Sequence, residues 1–171
     1  MRSQAQPSNI PNDATEWDTI LGIGRARGPN QGAIVALREN LAEVELFQDL
    51  SPVAMNELVH RGTKLKVGAG RKLVEQGSTD AGLQLILEGT ATVSVNGAEV
   101  GSLAPGDYFG EISLIDAAPR SATVVAGPEG IQTFAISSVA FSDLLDDHPE
   151  IARSLLKALT ARIRAIEARQ G

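Results

Sequence analysis

From Phe109 to Thr123 the sequence reads Phe-Gly-Glu-Ile-Ser-Leu-Ile-Asp-Ala-Ala-Pro-Arg-Ser-Ala-Thr. A glycine, a carboxylate, room for one short helical turn and then Pro-Arg-Ser at the start of an apolar run are the parts of an anion cradle. Gly110 has no side chain, so the backbone there can approach a ligand closely. A turn starting at Glu111 would present unpaired N–H groups to an anion. Arg120 adds a planar guanidinium whose donors fit two phosphate oxygens at once. Glu111, beside such an anion, has two uses: it accepts a hydrogen bond from a neutral donor such as a sugar hydroxyl, or it pairs with Arg120.

Composition removes most other chemistry. The chain has 171 residues and no cysteine, which excludes a disulfide framework, a thiolate zinc site, an iron–sulfur cluster and a cysteine nucleophile. The two histidines, His60 and His148, stand on or beside predicted helices, too few for a multi-histidine metal site. No catalytic constellation stands out, so the expectation is a binding protein and not an enzyme, with no metal and no cofactor. The net charge is −6. Residues 46–148 carry six basic and thirteen acidic side chains, whereas residues 149–171 carry five basic and two acidic ones. An acidic body does not attract nucleic acid, which is held by neutralising its phosphates. The basic end reads as a solvated helix face. No run approaches ~18 consecutive apolar residues, and the first residues lack the apolar core of a signal peptide. A cytoplasmic protein without a membrane segment is expected.

The elements that must hold the cradle can be read from periodicity. Residues 1–31 are punctuated by proline and glycine and read as a flexible segment. One apolar island interrupts it, Trp17-Asp18-Thr19-Ile20-Leu21, whose positions 17, 20 and 21 share one helical face and predict a short helical motif near 15–21. Ile34, Leu37, Leu41, Val44 and Phe47 predict a helix from about Ala33 to Phe47. Ser51-Pro52 reads as an N-cap followed by proline at the first helical position, opening a second helix that ends near Gly62. From Lys64 to Ile136 short apolar runs alternate with turn residues, among them Asn96-Gly97, a strong hairpin signal. About eight short strands fit this stretch, the spacing of a small antiparallel barrel or jelly roll. Ser137 can cap a short helix. Asp147-His148-Pro149 then opens a long one with a stripe at Ile151, Leu155, Leu159, Ile163 and Ile166.

Over roughly residues 46–169 the sequence resembles the cyclic nucleotide-binding domain shared by bacterial catabolite-activator-type regulators, protein kinase regulatory subunits and nucleotide-gated channels. The match to that family's phosphate-binding cassette runs through all of Phe109–Thr123. The resemblance implies that Glu111 binds the ribose 2′-hydroxyl and that Arg120 pairs with the cyclic phosphate. It implies a pocket lined by Gly110, Ser121 and Ala122, with Ile112 and Ser113 beside them and Thr123 less directly engaged. Three positions depart from the family's pattern: Gln84 stands where an aromatic residue is usual, and Ser78 and Asp80 replace the residues that commonly follow Gly77.

These readings give a mainly β, α+β fold: an eight-stranded antiparallel β-barrel (jelly roll) at about 63–136, flanked by N-terminal helices and followed by C-terminal helices over 137–170. Residues 32–171 form the cyclic nucleotide-binding domain, expected as a stand-alone sensor without a DNA-binding domain and without specific DNA binding. The expected ligand is cyclic AMP, with cyclic GMP left open by the hydroxyl of Ser121. The expected output is action on an unidentified protein partner, or pairing of the C-terminal helix in a homodimer. The alternative is an interaction or assembly module that uses the same barrel without a ligand.

Overall fold

The structure is a computed structural model that describes residues 31–80 and 82–170; the segment holding the expected motif near 15–21 lies outside the described residues. Two helices lead in, α1 (Gln31–Ala42) and α2 (Pro52–Arg61). The strands follow as β1 (Thr63–Val67), β2 (Lys72–Val74), β3 (Gly82–Val95), β4 (Ala98–Leu103), β5 (Tyr108–Phe109) and β6 (Thr123–Ser137). A one-turn helix, α3 (Glu111–Asp116), separates β5 from β6, and α4 (Ser138–Asp147) and α5 (Pro149–Gln170) close the chain.

The helix starts obey local chemistry. The Ser51 hydroxyl accepts from the Ala54 N–H at 3.2 Å with Pro52 in the first turn. Ser137 does the same for Ala140 at 3.3 Å. Each satisfies one of the N–H groups that a helix N-terminus leaves orphaned. The first helix is shorter than its apolar stripe predicts. It ends at Ala42, and the chain continues through tight turns in which Val44, Leu46 and Phe47 stay buried. The stripe is kept although the helix is not, because burial is decided by packing and not by helical continuity.

The sheet corrects the expected strand count. It has six strands in the order β1-β6-β3-β4, with β2 paired to β6 and β5 to β3, and this path does not close on itself. All the pairings are antiparallel. In the sequence the apolar runs 83–87 and 91–95, on either side of Gly89, read as separate strands, and so do 122–126 and 131–136 on either side of Gly127–Gly130. Both pairs are single strands, β3 and β6. The glycines that suggested turns are places where the long strands bend. Gly89 has φ +81° and Gly130 φ +78°, and the β3–β6 register shifts between Ile86 and Glu88 and again between Gly89 and Ala91. Such bulges bend a strand without ending its pairing. Asn96 and Gly97 both take positive φ, +52° and +81°, the geometry of the tight hairpin expected between β3 and β4.

Two apolar clusters result. One joins the sheet to the helices: Leu83, Leu85, Phe134 and Ile136 share it with Leu41, Phe47, Leu58, Phe141, Leu144, Ile151 and Leu155. The other lies within the sheet and contains Val74, Ile86, Phe109, Val124 and Ile131. The first half of α5 belongs to the helical cluster through Ile151, Leu155 and Ala158. Beyond it Leu159 is only partly buried and Ile163 is 56% exposed.

Candidate functional site

The cradle residues converge on one cavity of about 270 Å³ beside the inner cluster. Five strands each send one apolar side chain to its wall: Val74 from β2, Val93 from β3, Leu103 from β4, Phe109 from β5 and Val124 from β6. The polar side is formed by Gly110, Glu111, Ile112 and Ser113 at the start of α3 and by Arg120, Ser121 and Ala122 leading into β6. A cavity with apolar walls and a few converging polar groups is the usual form of a small-molecule site.

Gly110 is fixed by both conformation and space. Its φ is +96°, a region open to glycine and strained for other residues. A Cβ there would run into the Gly82 carbonyl oxygen and Nη1 of Arg120. The glycine therefore lets the guanidinium and the first turn of α3 lie against each other.

Arg120 is the unusual group. It is 5% exposed, and its Nε and Nη1 meet no hydrogen-bond partner among the described residues. Nη2 lies 3.9 Å from Oδ2 of Asp80, too far for a hydrogen bond. A buried cation with donors left open is costly unless something completes it. The backbone of Arg120 is held firmly: its N–H donates to the Ser78 carbonyl at 2.9 Å, and the Gly77 N–H donates to the Arg120 carbonyl at 2.8 Å. The turn that provides these bonds is itself tied down. The Ser78 hydroxyl bonds Asp80 and the Glu75 carbonyl, and the Gln76 side chain reaches the Asn96 backbone at 2.7 Å.

Of the residues expected to bind ligand, seven line the cavity: Gly110, Glu111, Ile112, Ser113, Arg120, Ser121 and Ala122. Glu111 and Ser113 are buried, whereas Ile112 is 46% exposed. Thr123 is placed elsewhere. Its hydroxyl accepts from the Gln76 N–H at 2.9 Å, so it anchors the turn that positions Arg120. The apolar wall is not read from the sequence as such; its signal there is the alternation of Val93 with the polar Thr92 and Ser94. Asp80, noted in the sequence only as a departure, is the carboxylate nearest Arg120 that the described ion pairs include. Gln84 lies opposite Phe109 and Ala135 in the sheet and accepts from the buried Thr133 hydroxyl at 3.1 Å, so it serves the strand pairing.

Comparison with known proteins agrees with this geometry. Residues 64–148 match the family model described as "Cyclic nucleotide-binding domain". The chain is 33% identical over 147 residues to a cyclic nucleotide-gated potassium channel of Mesorhizobium japonicum, covering 85% of this chain and 40% of the channel. It thus spans about two fifths of that relative's length. Among solved structures it superposes on the Thermus thermophilus catabolite activator protein with a TM-score of 0.66 at 27% identity, covering 74% of this chain and 61% of the other. The regulatory domain of Toxoplasma gondii PKA, solved with cAMP, gives a TM-score of 0.66 at 26% identity, covering 75% and 50%. None of the described helices is long and apolar enough to cross a membrane.

Proposed function

We propose, from the premise that residues 64–148 belong to the cyclic nucleotide-binding domain family, that the chain is a sensor that prefers cyclic AMP and acts on a partner through its helices. The observation that carries this reading is the buried Arg120 guanidinium on the wall of a cavity, with Nε and Nη1 left without a hydrogen-bond partner among the described residues. A cyclic phosphodiester is a single negative charge with two exposed oxygens, the complement of that fork. Glu111 shares the cavity wall and is suited to accept from the ribose 2′-hydroxyl. The apolar wall takes the sugar and base edges. The role is binding and relay, with no bond made or broken. The cAMP in the Toxoplasma regulatory domain supports the choice of ligand, and the Ser121 hydroxyl keeps cyclic GMP as the competing one.

Relay falls to α5. Its first half is anchored in the helical cluster, while Leu159 and Ile163 are left half-buried or exposed. That second half can cover the base or pair with the same helix of a second copy. A ligand that favours one arrangement shifts the balance between them.

The test is thermal unfolding with cyclic AMP, cyclic GMP, 2′-deoxy cyclic AMP and AMP. Cyclic AMP at about 100 times its dissociation constant should add ~2.7 kcal/mol of stability, and AMP much less. Glu111→Ala should remove most of the difference between cyclic AMP and its 2′-deoxy analogue, a charge-assisted hydrogen bond of about 1.5–3 kcal/mol. No stabilisation by any cyclic nucleotide would leave the domain as a docking module.

A further inference from the structure

A second cavity, of about 610 Å³, shares no residue with the first. It is walled by Ala33 and Ile34 of α1, Val59 and His60 of α2, Lys64 of β1 and Phe134 of β6. Protein interiors leave few voids larger than a water molecule, so an apolar groove of this size between two helices and a sheet is a seat for side chains. We propose that its occupant is the chain's own N-terminal motif, Trp17-Asp18-Thr19-Ile20-Leu21.

Three observations select this occupant. The first is reach. The groove includes the first turn of α1, and eleven residues separate Leu21 from Ala33. A span of that length reaches up to ~40 Å when extended and about 20 Å as a relaxed coil, so the motif is held near the groove at an effective concentration in the millimolar range. The second is shape. Trp17, Ile20 and Leu21 fall on one face at helical spacing, three large apolar groups for a groove with apolar walls. The third is charge. Asp13, Glu16 and Asp18 surround the tryptophan, and no basic residue stands between Ser3 and Gly24. The groove side provides Lys64, which is exposed. Seated there, the motif joins α1 to α2 and to the edge of the sheet.

Trp17 is the only tryptophan of the chain and reports its own position. In the 171-residue chain its emission should be blue-shifted, and its quenching by acrylamide several-fold weaker than in the same chain unfolded in guanidinium. Val59→Glu, which puts a like charge in the seat, should move both to solvent values while circular dichroism keeps the folded spectrum. If that variant does not fold, Lys64→Glu serves, at an exposed position, and should raise quenching most at low salt. A solvent-like Trp17 in the unaltered protein would overturn the proposal. So would a buried Trp17 that neither substitution releases. Burial that disappears on dilution would mean that a second copy fills the groove, and would overturn it as well.

Discussion

Two arginines of this protein show how differently one side chain can be used. Arg61, at the end of α2, is 30% exposed and surrounded by carboxylates: Glu57 at 3.2 Å, Asp147 at 3.1 Å and Asp143 at 3.5 Å. It ties α2 to α4, and nothing about it asks for a further partner. Arg120 is nearly inaccessible, yet among the described residues two of its three nitrogens lack hydrogen bonds, and Asp80, with which it forms an ion pair, is 3.9 Å away. Stability alone would arrange matters the other way, with the satisfied cation inside and the open one in water. The inversion marks Arg61 as a fastener and Arg120 as a group held ready for something that arrives later.

Substitutions can break this contrast, and the largest effect belongs to Arg120. Arg120→Met should reduce cyclic nucleotide affinity by at least 100-fold, in line with the roughly 3–5 kcal/mol lost when one partner of a buried pair is removed. The same change should raise the melting temperature of the ligand-free protein, because a buried charge with open donors has been exchanged for an apolar chain. Calorimetric titration and a melt check the two halves. A variant that loses binding and also melts lower would show that Arg120 is structural like Arg61.

Gly110→Ala comes next. Left-handed backbone costs about 1–2 kcal/mol for a residue with a Cβ, and the added atom collides with the Gly82 carbonyl and with Arg120. The expected result is a lower melting point together with weaker binding, the two losses moving together. The smallest effect is that of Arg61→Ala. Exposed ion pairs contribute roughly 0.2–1 kcal/mol each and are screened by salt, so chemical denaturation should show a loss of about 1 kcal/mol that shrinks at high ionic strength. Nucleotide affinity should be unchanged. A drop in affinity would mean that the α2–α4 junction communicates with the cavity.

The contrast also explains what the sequence made legible. Cradle residues from Gly110 to Ala122 are contiguous or nearly so, and their chemistry needs only local geometry. The caps Ser51 and Ser137 and the Asn96-Gly97 turn are equally local, and all took the expected form. Strand number was not legible, because glycine serves both turns and bends. Only the partner strand tells whether pairing stops at Gly89 and Gly130 or merely shifts register. The parts played by Asp80 and Thr123 were not legible for a related reason. Their importance lies in Arg120, some forty residues from Asp80 and adjacent in space only after folding. The length of α5 was readable from its stripe, but where its cover ends, past Ala158, depends on α4 and on the core it shares.

The turn before β3 holds the backbone of the arginine through main-chain atoms, the Gly77 amide and the Ser78 carbonyl. Every amino acid except proline brings both of those groups. Position 78 therefore keeps its grip on the arginine under any exchange that still ties the turn as the Ser78 hydroxyl does, to Asp80 and the Glu75 carbonyl, while Gly77, at φ +84°, is fixed by its backbone. An engineer can therefore alter ligand choice at wall positions such as Val93 and Leu103, which lie outside that turn, while the anchor stays where it is.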